Sequence, residues 1–375
     1  MSTLSEVLAR ETHEGDLYDV LPDGRLRCYA CGHCCPLPEG AIGVCKVRFN
    51  AGGRLRVPWG YVGGVQCDPI EKKPFFHAQP GALAYSFGML GCDLHCGYCQ
   101  NWVTSQALRD PEAVVPPRSA TPEGLVRDGL RLGARVLVST YNEPLITSEW
   151  AVAVFKEAKA AGLMTGYVSN GNGTPRVLEY VRPWIDLYKV DLKSFDDRHY
   201  RQLGGRLQPI LDTIRRLHAM GFWVEIVTLL IPGFNDSPDE LTRLADFIAG
   251  VSPDIPWHVT AFHADYKMTE PQNTTPAMLR AAAAIGRAAG LRYVYAGNLP
   301  GEVGDLEDTR CASCQSMLIA RYGYLIRGYR ITSTGCCPDC GSRVPGRWSD
   351  RFEGQLASRP FVPRSRSRLT VLGIS

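Results

Sequence analysis

The chain has 375 residues, a formal net charge of +3, and 45% apolar and 21% charged residues. These shares are ordinary for a globular protein long enough to bury a sizeable core, and so small a charge gives no argument for a nucleic-acid or anionic-membrane partner. No stretch approaches the roughly 20 apolar residues that span a bilayer, and the acidic start MSTLSEVLARETHEGD lacks the basic region and apolar run of an export signal, so the cytoplasm is the expected location.

Fourteen cysteines fall into three islands. In a long chain without an export signal, such clusters point to metal or cluster ligands rather than disulfides. The first island holds Cys28, Cys31, Cys34, Cys35 and Cys45, with Cys67 as an outlier. DPIEKKP (68–74) follows, either a solvated turn or a segment whose Lys72 and Lys73 close over an active-site mouth and meet a carboxylate. Then come seven short apolar segments rich in Val, Ile, Tyr and Phe: 83–87, 134–140, 163–169, 187–192, 222–230, 257–262 and 291–297. They read as strands buried on both faces. Helical patterns lie between them, several closing with Gly at the position after the helix, as at Gly162, Gly221, Gly250 and Gly290. Regular alternation of strand and helix means right-handed crossovers and a parallel sheet. Six or so units suit an open or partial (β/α) barrel better than the full eight. The stretch after Trp348 is rich in Arg, Ser and Pro and is expected to be disordered.

The second island, Cys92, Cys96 and Cys99, follows the first strand, where a parallel barrel builds its active site. Three thiolates leave one iron of a [4Fe–4S] cube open, as a catalytic zinc keeps one position free. The alternative is a zinc knuckle borrowing a distant ligand. C-x3-C-x2-C with Tyr98 before the last cysteine resembles the loop of the radical S-adenosylmethionine (SAM) superfamily, in which the methionyl amine and carboxylate of SAM chelate the open iron. The resemblance implies that TYNEP (140–144) contacts the amine. Since Tyr141 and Asn142 stand where relatives carry glycine, the side chain of Asn142 or Glu143 is expected there. The third strand ends in SNGNG (169–173) and offers Asn170. The fourth ends in KVDLK (189–193), where Asp191 and Lys193 share one side of the strand. Resemblance to glycyl-radical activating enzymes implies that this pair holds the cofactor, and that the turn at Gly233 in LLIPGFNDS lies near its adenosine. An internal ion pair is the plainer reading of Asp191 and Lys193. In TAFHADYKM (260–268), His263 and Tyr266 either face substrate or, for His263, cap the turn.

The cysteine-rich start, DPIEKKP, GCDLHCGYCQN (91–101), TYNEP, DLK, PGFND, FHADYKM, YAGN and a terminal four-cysteine knuckle together resemble the AmmeMemoRadiSam-system radical enzymes, relatives of pyruvate formate-lyase activating enzyme. The resemblance spans about 25–348. It implies a partial (β/α)6 radical SAM barrel with small cysteine-rich metal-binding modules at both ends: residues 1–80, a barrel over 81–305, a knuckle over 306–348 and a tail over 349–375. It also implies a [4Fe–4S] cluster, SAM, a low-potential electron donor such as flavodoxin or ferredoxin, and a substrate or partner protein left open. From the N-terminal island the resemblance selects Cys28, Cys31, Cys35 and Cys45 as ligands of zinc or of an auxiliary iron–sulfur cluster. Cys311, Cys314, Cys337 and Cys340 form two C-x2-C knuckles suited to zinc or a rubredoxin-like iron, zinc being preferred. Cys34, Cys67 and Cys336 are left as buried apolar residues. The outer modules are expected to narrow the barrel mouth or dock a partner. Activation of a glycyl-radical enzyme is the alternative function, and a non-enzymatic zinc-ribbon module the third reading.

Overall fold

The computed structural model describes residues 3–349 together with Phe352 and Gly354. Of the tail expected to be disordered over 349–375, all but Ser349, Phe352 and Gly354 lies outside the described residues.

All seven candidate strands form, and an eighth precedes them. We label them β1 (Gly64–Pro69), β2 (Leu83–Gly88), β3 (Val136–Ser139), β4 (Met164–Ser169), β5 (Leu187–Asp191), β6 (Trp223–Leu230), β7 (Trp257–Ala261) and β8 (Val294–Gly297). They make one sheet in strict sequential order, with β2 to β8 parallel and β1 antiparallel along β2. The seven parallel strands thus make six βα units and a last strand. Every residue of β3 and β7 is buried, as helices on one side and the barrel interior on the other require. Residues 64–69, upstream of the barrel proper, thus add an edge strand to its sheet.

Six crossover helices follow a common recipe in four cases. The helices are α1 (Pro122–Arg131), α2 (Ser148–Ala160), α3 (Pro175–Val181), α4 (Leu207–Ala219), α5 (Pro238–Val251) and α6 (Pro276–Ala288). At α1, α3, α5 and α6 a Ser or Thr hydroxyl (Thr121, Thr174, Ser237, Thr275) accepts the N–H three residues on, at 3.1–3.3 Å. Proline follows at the first helical position, where its missing N–H costs nothing. Gly162, Gly221 and Gly290 end their helices in the left-handed region. Gly250 does not: α5 runs through it to Val251 and stops because Ser252 precedes Pro253 and must be extended.

The two cysteine-rich ends occupy opposite faces of the barrel. The N-terminal module contains two small antiparallel sheets, Tyr18–Val20/Leu26–Cys28/Pro36–Leu37 and Thr12–Glu14/Arg54–Pro58/Phe49–Ala51. It sits at the C-terminal ends of the strands: Gly32 N–H donates to the Asn172 carbonyl at 2.8 Å, just past β4. A buried bidentate pair, Arg48 to Glu149 at 2.7 Å for each bond, ties it to α2. The C-terminal hairpin (Met317–Tyr322, Leu325–Tyr329) closes the other end. There Arg321 donates to the Phe76 carbonyl at 2.8 Å. His77 bridges the Pro345 carbonyl and the Tyr295 hydroxyl, and Glu225 of β6 takes the Phe76 and His77 N–H groups and His258. The C-terminal module therefore floors the barrel and does not narrow its mouth.

DPIEKKP belongs to that floor as well. Running antiparallel, β1 starts opposite Gly88 at the mouth and ends with Pro69 opposite Leu83 at the base. Lys72 and Lys73 both pair with Asp68, and Lys73 also donates to the Tyr141 hydroxyl, so the expectation that they close over the mouth is not met. Cys34, Cys67 and Cys336 are half-buried rather than core residues.

Candidate active site at the mouth of the barrel

The second cysteine island leaves the end of β2 as a loop pinned on three sides. Gly91 adopts φ +94°, and a Cβ there would lie 2.9 Å from the Cys45 carbonyl, so only glycine lets the loop pass the N-terminal module. Asp93, fully buried, is caged by Asn170 Nδ2 at 2.7 Å and Asn172 Nδ2 at 2.8 Å from the end of β4. His95 N–H reaches the Leu203 carbonyl. On the open side the loop after β7 folds over: Lys267 N–H donates to the Gly97 carbonyl, and Tyr266 stacks on Trp102 at 5.0 Å and 10° while its hydroxyl donates to Asp110. Tyr266 is thereby a strut of the cysteine loop. His263 is exposed and meets Gln100.

Opposite the loop, Lys189, Asp191 and Lys193 alternate along β5 and its extension, so all three point inward. Asp191 is held by both lysines, with Lys193 at 3.3 Å. Lys193 and Asp191 in turn act electrostatically on Cys96 and Cys99. Asn235 fixes the next turn by accepting Ile231 N–H and donating to the Lys193 and Leu229 carbonyls. Beside it Gly233, at φ +73°, has no heavy atom within 4 Å of where a Cβ would stand. Tyr98 packs against Phe234, and its buried hydroxyl has no hydrogen-bond partner among the described residues.

Asn142 and Glu143 are occupied by their own chain. Asn142 accepts Met89 N–H and donates to the Glu143 carbonyl. Glu143 accepts from Leu145 N–H, Ser169 Oγ and Asn170 N–H, at 3.0, 2.7 and 2.7 Å. Burial, reinforced by Asp93, pushes its carboxyl up to about 8. Tyr141, at φ +71°, keeps the left-handed turn that glycine favours.

The residues fit a polynuclear cluster. Burial raises the thiols of Cys92, Cys96 (to about 12) and Cys99, so without a bound cation they stay protonated. A cationic cluster reverses that preference. Cys92, Cys96 and Cys99 border one apolar patch with Leu94, Tyr98, Leu203, Ile231 and Phe262. Their sulfurs are also too dispersed for one ion. Among the described residues, Cys311, Cys314, Cys337 and Cys340 alone bring three or more ligand atoms within 4.8 Å of one another. In that set, Cys311–Cys340 and Cys314–Cys337 lie at 3.6 and 3.7 Å, close to the ~3.8 Å edge of a tetrahedron with Zn–S of about 2.3 Å.

Comparison with known proteins agrees. The model of the Radical SAM superfamily matches residues 88–248. An uncharacterized protein of Methanocaldococcus jannaschii is 33% identical over 334 residues, 88% of this chain and 98% of that one. The pyruvate formate-lyase-activating enzyme of Staphylococcus aureus is 29% identical over 201 residues, 49% of this chain and 76% of that one. A crystallised domain of pyruvate-formate lyase-activating enzyme from Bacteroides vulgatus superposes with a TM-score of 0.39 at 21% identity, over 43% of this chain and 98% of that one. The chain belongs to the radical SAM superfamily. It is an enzyme of that class, using a [4Fe–4S] cluster and SAM, and Cys311, Cys314, Cys337 and Cys340 are gathered closely enough to hold a further metal ion.

Three positions of this site escaped the sequence reading. Lys189 carried a signal, since it stands two residues before Asp191 on the same face. Asp93 and Asn172 carried none, because their pairing joins residues 79 apart.

Proposed function

We propose that Cys92, Cys96 and Cys99 hold the [4Fe–4S] cluster, and that SAM lies between this loop and Asp191, Lys193 and Lys189. When bound, cluster and SAM supply a 5′-deoxyadenosyl radical that abstracts hydrogen from substrate. The observation that carries the reading is the Asp191 carboxylate held between buried Lys189 and half-buried Lys193, facing the three-cysteine loop. Lys193 suits the carboxylate of the amino-acid moiety, and Asp191 its amine or a ribose hydroxyl. The orphaned Tyr98 hydroxyl and the open Gly233 turn suit the nucleoside end. Asn142, Glu143 and Asn170 support this site by holding the ends of β2, β3 and β4 and, through Asp93, the loop itself. Stacking of Tyr266 on Trp102 keeps water from the loop's outer side.

The arrangement and the motifs support placement in the AmmeMemoRadiSam-system group, with a small molecule or peptide as substrate. The similarity to pyruvate formate-lyase-activating enzymes favours one alternative, formation of a glycyl radical on a partner protein. We take residues 1–80, 81–305 and 306–348 as the working modules and a flavodoxin- or ferredoxin-type protein as electron donor. No helix among the described residues is long and apolar enough to cross a membrane, which accords with a cytoplasmic assignment. The test is anaerobic reconstitution followed by reduction with SAM present. Release of 5′-deoxyadenosine supports the reading, and its absence from a protein holding four irons at the triad refutes it. Deuterium carried from candidate substrates into 5′-deoxyadenosine separates a small molecule from a glycyl peptide.

A further inference from the structure

The N-terminal cysteines are not a loose appendage. Cys28, Cys31 and Cys45 are buried, and Cys35 is half-buried. Gly43 separates two of them, since a Cβ there would stand 3.7 Å from both the Cys35 and Cys45 sulfurs. Backbone bonds fix the turns that present them: Cys28 N–H to the Cys35 carbonyl, Cys34 N–H to Cys31, and Lys46 N–H to Gly43. Cys34 itself, at φ +44°, turns its thiol back on the Cys31 carbonyl and supplies the bend.

This cage abuts the radical loop at Gly91, Asp93 and Leu94. His33 Nε2 lies 3.1 Å from the Asp93 carbonyl. Arg109 bridges the two loops, donating to the Val44 carbonyl at 2.5 Å and to the Leu94 carbonyl at 3.3 Å. The Cys45 carbonyl sits against Gly91, the residue before Cys92. At Gly32 a Cβ would lie 2.3 Å from Asn172 Oδ1, the amide that cages Asp93, so the module is fitted to this loop at contact distance.

The arrangement of the sulfurs differs between the two ends of the chain. The C-terminal four sulfurs all lie within 4.8 Å of one another, two pairs at 3.6 and 3.7 Å, whereas no three sulfurs of the N-terminal set lie mutually within 4.8 Å among the described residues. A cubane binds each thiolate to a different iron, so its ligand sulfurs stand farther apart than those around one ion. We propose that Cys28, Cys31, Cys35 and Cys45 hold a second [4Fe–4S] cluster packed against the radical loop. Four thiolates leave no iron of this cluster open to substrate, so electron storage and transfer is its chemistry. The inference rests on the site reading above for its neighbour, but not for its ligands.

Iron and zinc counts on the anaerobically reconstituted full chain test it. Wild type should hold about eight irons and one zinc, and a Cys92→Ala/Cys96→Ala/Cys99→Ala variant should keep about four irons. Wild type with about four irons and two zincs, or a triple variant without iron, overturns the proposal. A triple variant with as much iron as wild type, at about four per chain, instead overturns the radical-loop assignment and leaves the N-terminal one standing. When reduced, the wild-type spin signal should be broadened by coupling relative to the triple variant's. A wild-type spectrum equal to the sum of two isolated clusters refutes the packing of one against the other.

Discussion

Replacing Arg48 with Met removes one partner of an ion pair that is almost wholly dry, with side-chain exposures of 1% and 3%. Among the described residues Glu149 then keeps the Asp16 N–H at 3.3 Å. Burial by itself would raise the Glu149 carboxyl, and Arg48 outweighs that and holds it below its ordinary range. Loss of one partner of such a pair costs about 3–5 kcal/mol. With an unfolding entropy of about 2.1 cal/mol/K per residue, the 375-residue chain has ~0.8 kcal/mol/K, and the melting temperature should fall by about 4–6 °C. Trp150 adjoins Glu149 and contacts Trp59 edge-on at 5.2 Å, so tryptophan fluorescence reports the same region during a urea titration. Because the pair joins the N-terminal module to α2, iron content should drop along with stability. The double variant Arg48→Met/Glu149→Leu should recover much of the loss, since a matched apolar pair is often as stable as a buried ionic one. A single-variant loss below ~1 kcal/mol, or a double variant as unstable as the two singles added together, would refute the argument.

Three further outcomes are expected. Burial holds the Glu71 carboxyl up at about 7, with Arg321 3.8 Å away offsetting only part of it. Between pH 4.5 and 7 the folded chain therefore keeps a proton that the unfolded chain has released, and the contribution of Glu71 to stability is full below 4.5 and lost as pH rises through 7. At about 1.4 kcal/mol per pH unit, Glu71→Gln should gain about 3 kcal/mol relative to wild type across that window. A pH-independent gap in chemical denaturation refutes it. Lys189→Met leaves Asp191 with one lysine, and the SAM dissociation constant by calorimetry should rise about tenfold or more, the loss of a charge-assisted contact worth ~1.5–3 kcal/mol; an unchanged constant removes Lys189 from the site. Cys311→Ala should release the C-terminal zinc and lower the melting temperature while 5′-deoxyadenosine formation per folded molecule persists, because the floor of the barrel does not touch the radical loop; abolished cleavage in folded protein contradicts that separation.

Much of the barrel was legible because its signals are local. Strand segments are short, apolar and β-branched wherever they fall, and the three cysteines of the radical loop lie within eight residues, so their spacing states their chemistry without knowledge of the fold. The face shared by Asp191 and Lys193 follows from the two-residue period of a strand. What was not legible depended on partners distant in sequence. DPIEKKP stayed open between a solvated turn and a closure over the mouth until the antiparallel pairing of β1 along β2 placed it at the base. The cage around Asp93 and the Arg48–Glu149 tie each join segments far apart along the chain.

The sequence by itself determined the strands and the class of chemistry, both of which are encoded within a few residues. Only the tertiary structure decided that one cysteine module meets the radical loop at the mouth and the other seals the base. Identical C-x2-C spacings appear at both ends of the chain, and which end of a barrel each reaches depends on strand direction and long-range packing that no local pattern carries.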